Sequence, residues 1–182
     1  MIPFTEEIYW NHFALYYDAI WPIPLMAVLL GVASLALLPF SNRWFGLGIS
    51  VFLAAQWFWT GGVYVWLHYG QLVWAGPVFA VLFCVQGALI VWSGIGLRRL
   101  EPEFRKSLTG WLGIGLCILA LCFGPLMGPD WKQSPLFGVT PAPVALYSLG
   151  IVLLNKRRGP IYLLPIPLLW MLWDATTLWV IG

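Results

Sequence analysis

Charge is what this sequence has least of: nine Lys and Arg and seven Asp and Glu in 182 residues, 9% charged against 61% hydrophobic. With a mean hydropathy of +0.85, that excludes a soluble domain, whose surface must be polar, and marks an integral membrane protein. The few basic residues are scattered between apolar runs, so no nucleic-acid-binding face is built from them. Cysteine is also scarce. Cys84, Cys117 and Cys122 are odd in number, lie inside apolar runs and have no metal-ligand spacing, which excludes a disulfide framework. The opening residues MIPFTEE are acidic where a signal peptide starts positive. A nucleophile–base pair, a metal-ligand motif and a phosphate-binding glycine loop are all missing, so an enzyme is not expected.

What is present is long apolar runs. Residues 20–40, 44–67, 74–97, 108–127, 137–154 and 161–181 are each long enough, at about 1.5 Å per residue, to cross the roughly 30 Å of a hydrocarbon core. In lipid such runs must be helical, because only a helix satisfies its own backbone groups and a barrel would alternate polar and apolar positions. The expected fold is therefore all-α: a polytopic membrane bundle of six transmembrane helices arranged as three hairpins (20–182), preceded by a short N-terminal interfacial helix in residues 1–19.

Two of these runs share a layout. WPIPLMAVLLGVASLALLPFSNR has Pro22, Pro24, Gly31 and Arg43; FGVTPAPVALYSLGIVLLNKRR has Pro141, Pro143, Gly150 and Lys156. Proline suits a first helical turn, so each Pro-x-Pro predicts a helix start. Pro165 and Pro167 fall inside the last run and predict a kink there. Gly110, Gly113 and Gly115 in the fourth run permit close helix approach, within the chain or between copies.

Eight of the nine basic residues, Arg43, Arg98, Arg99, Arg105, Lys106, Lys156, Arg157 and Arg158, lie in the first, third and fifth loops. The positive-inside rule makes those loops cytoplasmic and puts both termini outside, in a bacterial inner membrane. Trp21, Trp44, Trp66, Trp74 and Trp131 fall near run ends, as in an interfacial aromatic belt.

Inside the second run, Gln56, Thr60, Tyr64 and His68 follow at four-residue steps and form one stripe. Gln86, Tyr147, Asp174 and Thr177 add polarity in the third, fifth and sixth runs; Asp174 is the acidic residue deepest in an apolar run, a functional pointer by default. These eight residues are the expected lining of a polar cavity open to the outside, which binds or transports a small solute or ion. The competing reading makes them packing glue between helices, at about 0.6 kcal/mol each. Glu6, Glu7, His12, Asp18, His68 and Asp130 belong to the outer surface; Asp18 is also placed to cap the first membrane helix. The alternatives are a non-catalytic accessory subunit of a membrane complex, or a protein that ligates haem or a divalent metal through His12 and His68. No cofactor is expected on the leading reading. The expected partners are the lipid bilayer and either a second copy or a membrane complex.

FTEEIYWNHFALYYDAIWP at the start, GVTPAPV followed by Leu149-Gly150, and IPLLW near the end together resemble the bacterial six-helix membrane proteins grouped as domain of unknown function 6064. The resemblance spans essentially the whole chain. It differs from the family pattern at Asp18, where an Asn is common, and at Ala142, where a Cys is common. It implies a six-helix bundle and supplies no activity.

Overall fold

The structure, a computed structural model, describes residues 6–71, 73–127, 130–156 and 159–181, without the side chains of 6–9, 131 and 181. Of the positions named above, the side chains of Glu6, Glu7 and Trp131 and the whole of Arg157 and Arg158 lie outside the described residues.

The described chain is helical, with no strand and a single isolated bridge between Pro102 and Asn155. Seven α-helices are seen: α1 (Glu6–Ile20), α2 (Ile23–Ala36), α3 (Arg43–Trp59), α4 (Gly76–Val91), α5 (Leu108–Met127), α6 (Pro141–Leu153) and α7 (Pro165–Ile181). α3 runs on as a π-helix, Thr60–His68, and α4 as a π-helical turn, Trp92–Gly96. In both, backbone bonds step back five residues: Tyr69 N–H reaches Tyr64 O and Leu97 N–H reaches Trp92 O. Such turns are uncommon in helices and are frequent at functional sites.

α6 is the centre of the bundle. All residues from Pro141 to Val152 are buried, so a helix without a polar face is covered on every side. α5 packs antiparallel to it through small residues. A Cβ on Gly113 would lie 2.8 Å from Leu154 Cγ, and one on Gly150 would lie 2.5 Å from Cys117 Sγ. Gly115 instead faces open space, so of these two α5 glycines it is Gly113, opposite Gly150 of α6, that permits the close α5–α6 approach. α3 and α4 form a second antiparallel pair, in which Gly94 rests on Ser50 and Gly61 on Phe83. α2 runs parallel to α6, with Ala27 against Gly138 and Ser34 against Tyr147. α7 closes the bundle through Trp170, which is buried edge-on against Phe79 and Phe83.

Gly76–Gly96, Leu108–Met127 and Ile161–Val180 are long and apolar enough to cross a membrane, and α1 with α2 would add a fourth as one span bent by 89°. α6 has 13 residues, about 20 Å at 1.5 Å per residue.

Two local expectations are corrected. Pro165 and Pro167 do not kink the last helix: a 3₁₀ turn, Ile161–Leu163, precedes α7, which begins at Pro165. Both prolines thus sit in a first turn, where a missing N–H costs nothing. Asp18 caps no helix. It is an exposed residue inside α1, 3.4 Å from Lys132 Nζ, and α2 is preceded by Pro22 with no side-chain cap. α1 simply extends past Asp18 to Ile20, which leaves the aspartate no free helix end to serve.

The two ends of the bundle are tied differently. At the basic end Asn155, buried, works through backbone groups: its Oδ1 accepts from Glu101 N–H, its Nδ2 donates to Arg99 O, and its own carbonyl accepts from Arg105 Nη2. At the other end α1 lays down a cluster of rings. Phe13, Tyr16 and Tyr17 are buried, and Tyr64 stacks on Phe13 and Tyr69.

Candidate ligand cleft beside Gln56

Gln56 lies on α3, one turn before the π-helical segment. Its carboxamide carries two donors and an acceptor to satisfy. It has no partner: the residue is 4% exposed and neither Nε2 nor Oε1 makes a hydrogen bond. An unpaired buried amide costs about 1–3 kcal/mol.

The reason it is left open is the space beside it. Ile23, Met26, Ala27 and Leu30 of α2, Phe52, Ala55, Gln56 and Trp59 of α3, and Gly138 line a cleft of about 270 Å³. No charged side chain lines it, so Gln56 supplies the polar chemistry to an otherwise apolar wall. Gly138 is what brings the segment before α6 so close. Its φ is +82°, which favours glycine, and a Cβ there would meet Ala27 Cβ at 2.4 Å and Gln56 Nε2 at 3.0 Å.

Tyrosines of α1 hold this wall in place. Trp59 Nε1 donates to Tyr16 OH at 2.9 Å, and Tyr16 OH donates to Val139 O at 3.1 Å, next to Gly138. Tyr17 OH donates to Ser134 O at 2.6 Å and accepts from Leu136 N–H at 2.8 Å. Burial pushes both phenols well above the usual tyrosine range, so they stay protonated and keep donating. The segment 134–139 is therefore bolted to α1 on one side of the cleft.

Of the eight expected lining residues, the cleft takes Gln56. Thr60 and Gln86 are also buried with an unpaired atom each, Thr60 Oγ1 and Gln86 Oε1, while Gln86 Nε2 donates to Leu163 O at 2.9 Å. Tyr64 and His68 belong to the cluster under α1: Tyr64 OH is 2.8 Å from His12 Nε2, and His68 Nδ1 is 2.9 Å from Val63 O. His68 also meets the edge of Tyr16, with centroids 4.9 Å apart. His12 and His68, the expected metal or haem ligands, thus each have one ring nitrogen engaged by protein. Among the described residues no three His, Cys, Asp or Glu side chains gather as a metal set. Tyr147 is enclosed against α2, bonded to Ser34 Oγ and donating to Gly31 O at 3.0 Å. Asp174 is half-buried on α7, and Thr177 donates to Trp173 O in its own helix at 2.9 Å.

Sequence reading missed Tyr16, Tyr17, Ser34, Gly138 and Asn155. The tyrosines read as one face of an amphipathic helix, and Asn155 as part of a basic stop. Gly138 did carry a signal: a glycine three residues ahead of a Pro-x-Pro helix start marks a turn that can bring two helices together.

Comparison with curated proteins and with solved structures finds no match to this chain. The sequence profile of one family does match, over residues 6–181, and the chain belongs to it: the Family of unknown function (DUF6064).

Proposed function

We propose that this chain is a multi-pass protein of a bacterial inner membrane that binds a small neutral amphiphile at the Gln56 cleft, as the recognition step of its transport. The proposed arrangement is six spans in three hairpins with both termini outside, which gives the cleft an opening near the outer ends of α2 and α6. Support for membrane placement comes from the outer helix faces. Leu29, Leu30, Val78, Val81, Leu112, Ile118, Leu168 and Leu172 are exposed on four helices, an apolar surface far larger than a water-facing protein carries.

One observation carries the ligand assignment: an unpaired, buried carboxamide on the wall of an apolar, uncharged cleft. The mostly apolar lining with one placed polar group is the usual make-up of a small-molecule site. A carboxamide offers both a donor and an acceptor, which suits a hydroxyl, carbonyl or amide attached to an apolar body. An ion would find no opposing charge there, so the solute is neutral.

Fluorine NMR of the purified protein in micelles tests this with 4-fluorobenzyl alcohol and, as a match lacking the hydroxyl, 4-fluorotoluene. The wild type is expected to broaden the alcohol several-fold more than the toluene. Gln56→Met is expected to erase that difference. Equal broadening of both probes by the wild type, or an unchanged preference in Gln56→Met, removes the proposal.

A further inference from the structure

At the basic end of the bundle a second cavity, also about 270 Å³, lies between the start of α3 and the segment that follows the π-helical turn of α4. Its lining is of another kind: Arg43, Trp44, Leu47, Gly94, Arg98, Leu100 and Glu101. Two arginines line it from different elements, Arg43 from the start of α3 and Arg98 from the segment after the π-helical turn. Among the described residues neither is in an ion pair; those formed are Lys132–Asp18 and Lys156–Glu103. Arg43 sits over the Trp44 ring, its Cζ 4.7 Å from the centroid, a cation–π contact that leaves its N–H groups available.

The backbone around the cavity is unusual for its sequence. Arg98 has φ +51°, the left-handed region, which costs a non-glycine residue about 1 kcal/mol or more. Glycine would sit there at no cost, yet an arginine does, at a position that lines the cavity. The rear wall is closed by a very short helix contact: a Cβ on Gly94 would fall 1.8 Å from Ser50 Oγ. Trp44 on the rim is 67% exposed, and an exposed tryptophan beside arginines is the pairing found where a helix leaves the hydrocarbon for the headgroup layer.

We infer that this cavity is a binding site for a phosphodiester monoanion, and specifically for the hydroxyl-bearing headgroup of an anionic phospholipid. The charge balance selects the class. Arg43 and Arg98 against Glu101 leave the lining with one net positive charge, which a single phosphodiester neutralises. Arginine supplies a forked set of donors that matches phosphate oxygens, and two arginines line this cavity. Glu101 accepts from a headgroup hydroxyl. The site is separate from the Gln56 cleft and shares with it only the membrane reading.

Native mass spectrometry of the full chain in detergent, titrated with dihexanoyl phosphatidylglycerol, tests it. The wild type is expected to bind one such lipid at least ten-fold tighter than dihexanoyl phosphatidylcholine or phosphatidylethanolamine. Arg43→Gln with Arg98→Gln is expected to abolish that preference. Arg99→Gln with Lys106→Gln, which removes the same charge outside the cavity, is expected to retain it. Circular dichroism establishes that each variant folds, and Arg43→Lys with Arg98→Lys provides a milder pair should the glutamines unfold it. Equal loss in both glutamine pairs would reduce the effect to general attraction and overturn the site. Displacement of the lipid by equimolar inorganic phosphate would overturn the lipid assignment, and a preference for phosphatidylethanolamine would overturn the charge argument.

Discussion

Tyr147 and Gln56 are both polar, both buried inside the bundle, and both within reach of the same ring, since Phe52 meets Tyr147 edge-on at 6.4 Å and also lines the cleft. They end in opposite states. Tyr147 is saturated, shared between Ser34 and Gly31 on α2, and joins two helices. Gln56 is unsatisfied at both ends and joins nothing. Polarity alone therefore does not separate packing glue from a binding group; the presence of a partner does. A bonded group stabilises the protein, and an unbonded one destabilises it unless a ligand completes it.

The sharpest test of that contrast is the residue that closes the cleft. Gly138→Ala adds a Cβ into Ala27 at a backbone conformation that disfavours it, and about 2–4 kcal/mol of stability is expected to be lost. Thermal unfolding in detergent reads this directly; a variant as stable as the parent would mean that the 134–139 segment is not held against α2. Next comes the saturated member of the pair. Tyr147→Phe leaves Ser34 without its inter-helix partner and is expected to cost about 1–2 kcal/mol in the same assay. Gln56→Met removes two unpaired atoms at nearly constant volume, so the expected change is smaller and of opposite sign, a gain of up to about 1 kcal/mol. If Gln56→Met proved as damaging as Tyr147→Phe, the two residues would be the same kind of group and the comparison would fail. The smallest effect belongs to Asp18→Asn. An exposed aspartate that caps no helix and faces a lysine at 3.4 Å is expected to contribute less than about 0.5 kcal/mol; a larger loss would mean that the pair with Lys132 holds α1 more firmly than an exposed ion pair does.

The same division between bonded and unbonded groups explains what could be read in advance. That the chain is all-helical followed from long apolar runs, and α5 at Leu108–Met127 falls where its run predicts, because a helix that packs along its whole length ends where its apolar residues end. The last run behaved otherwise: Pro165 starts a helix there, and the Ile161–Leu163 turn ahead of it uses its own carbonyls to close. A hydrophobic run does not show where helix gives way to turn. In the second run the four-residue stripe was legible as polarity, but Gln56, Thr60, Tyr64 and His68 do not share one cavity. Tyr64 and His68 were claimed by α1, whose ring-bearing residues lie some 50 positions away in the chain, and such pairings are invisible to spacing.

Composition and local pattern, then, decided what depends on each residue's immediate neighbours and on its solvent: helices throughout, proline-led starts at α2 and α6, and a concentration of positive charge at one end. Those features follow from backbone satisfaction and from charge placement, which act within a few residues. Only tertiary structure decided that α6, the run with the shortest helix, is enclosed on all sides by the others. Only tertiary structure decided that Tyr147 is paired and Gln56 is not. The reason is physical: a hydrogen bond or a van der Waals contact needs two groups at one place, and for Gln56 that place is set by a glycine 82 residues further along the chain.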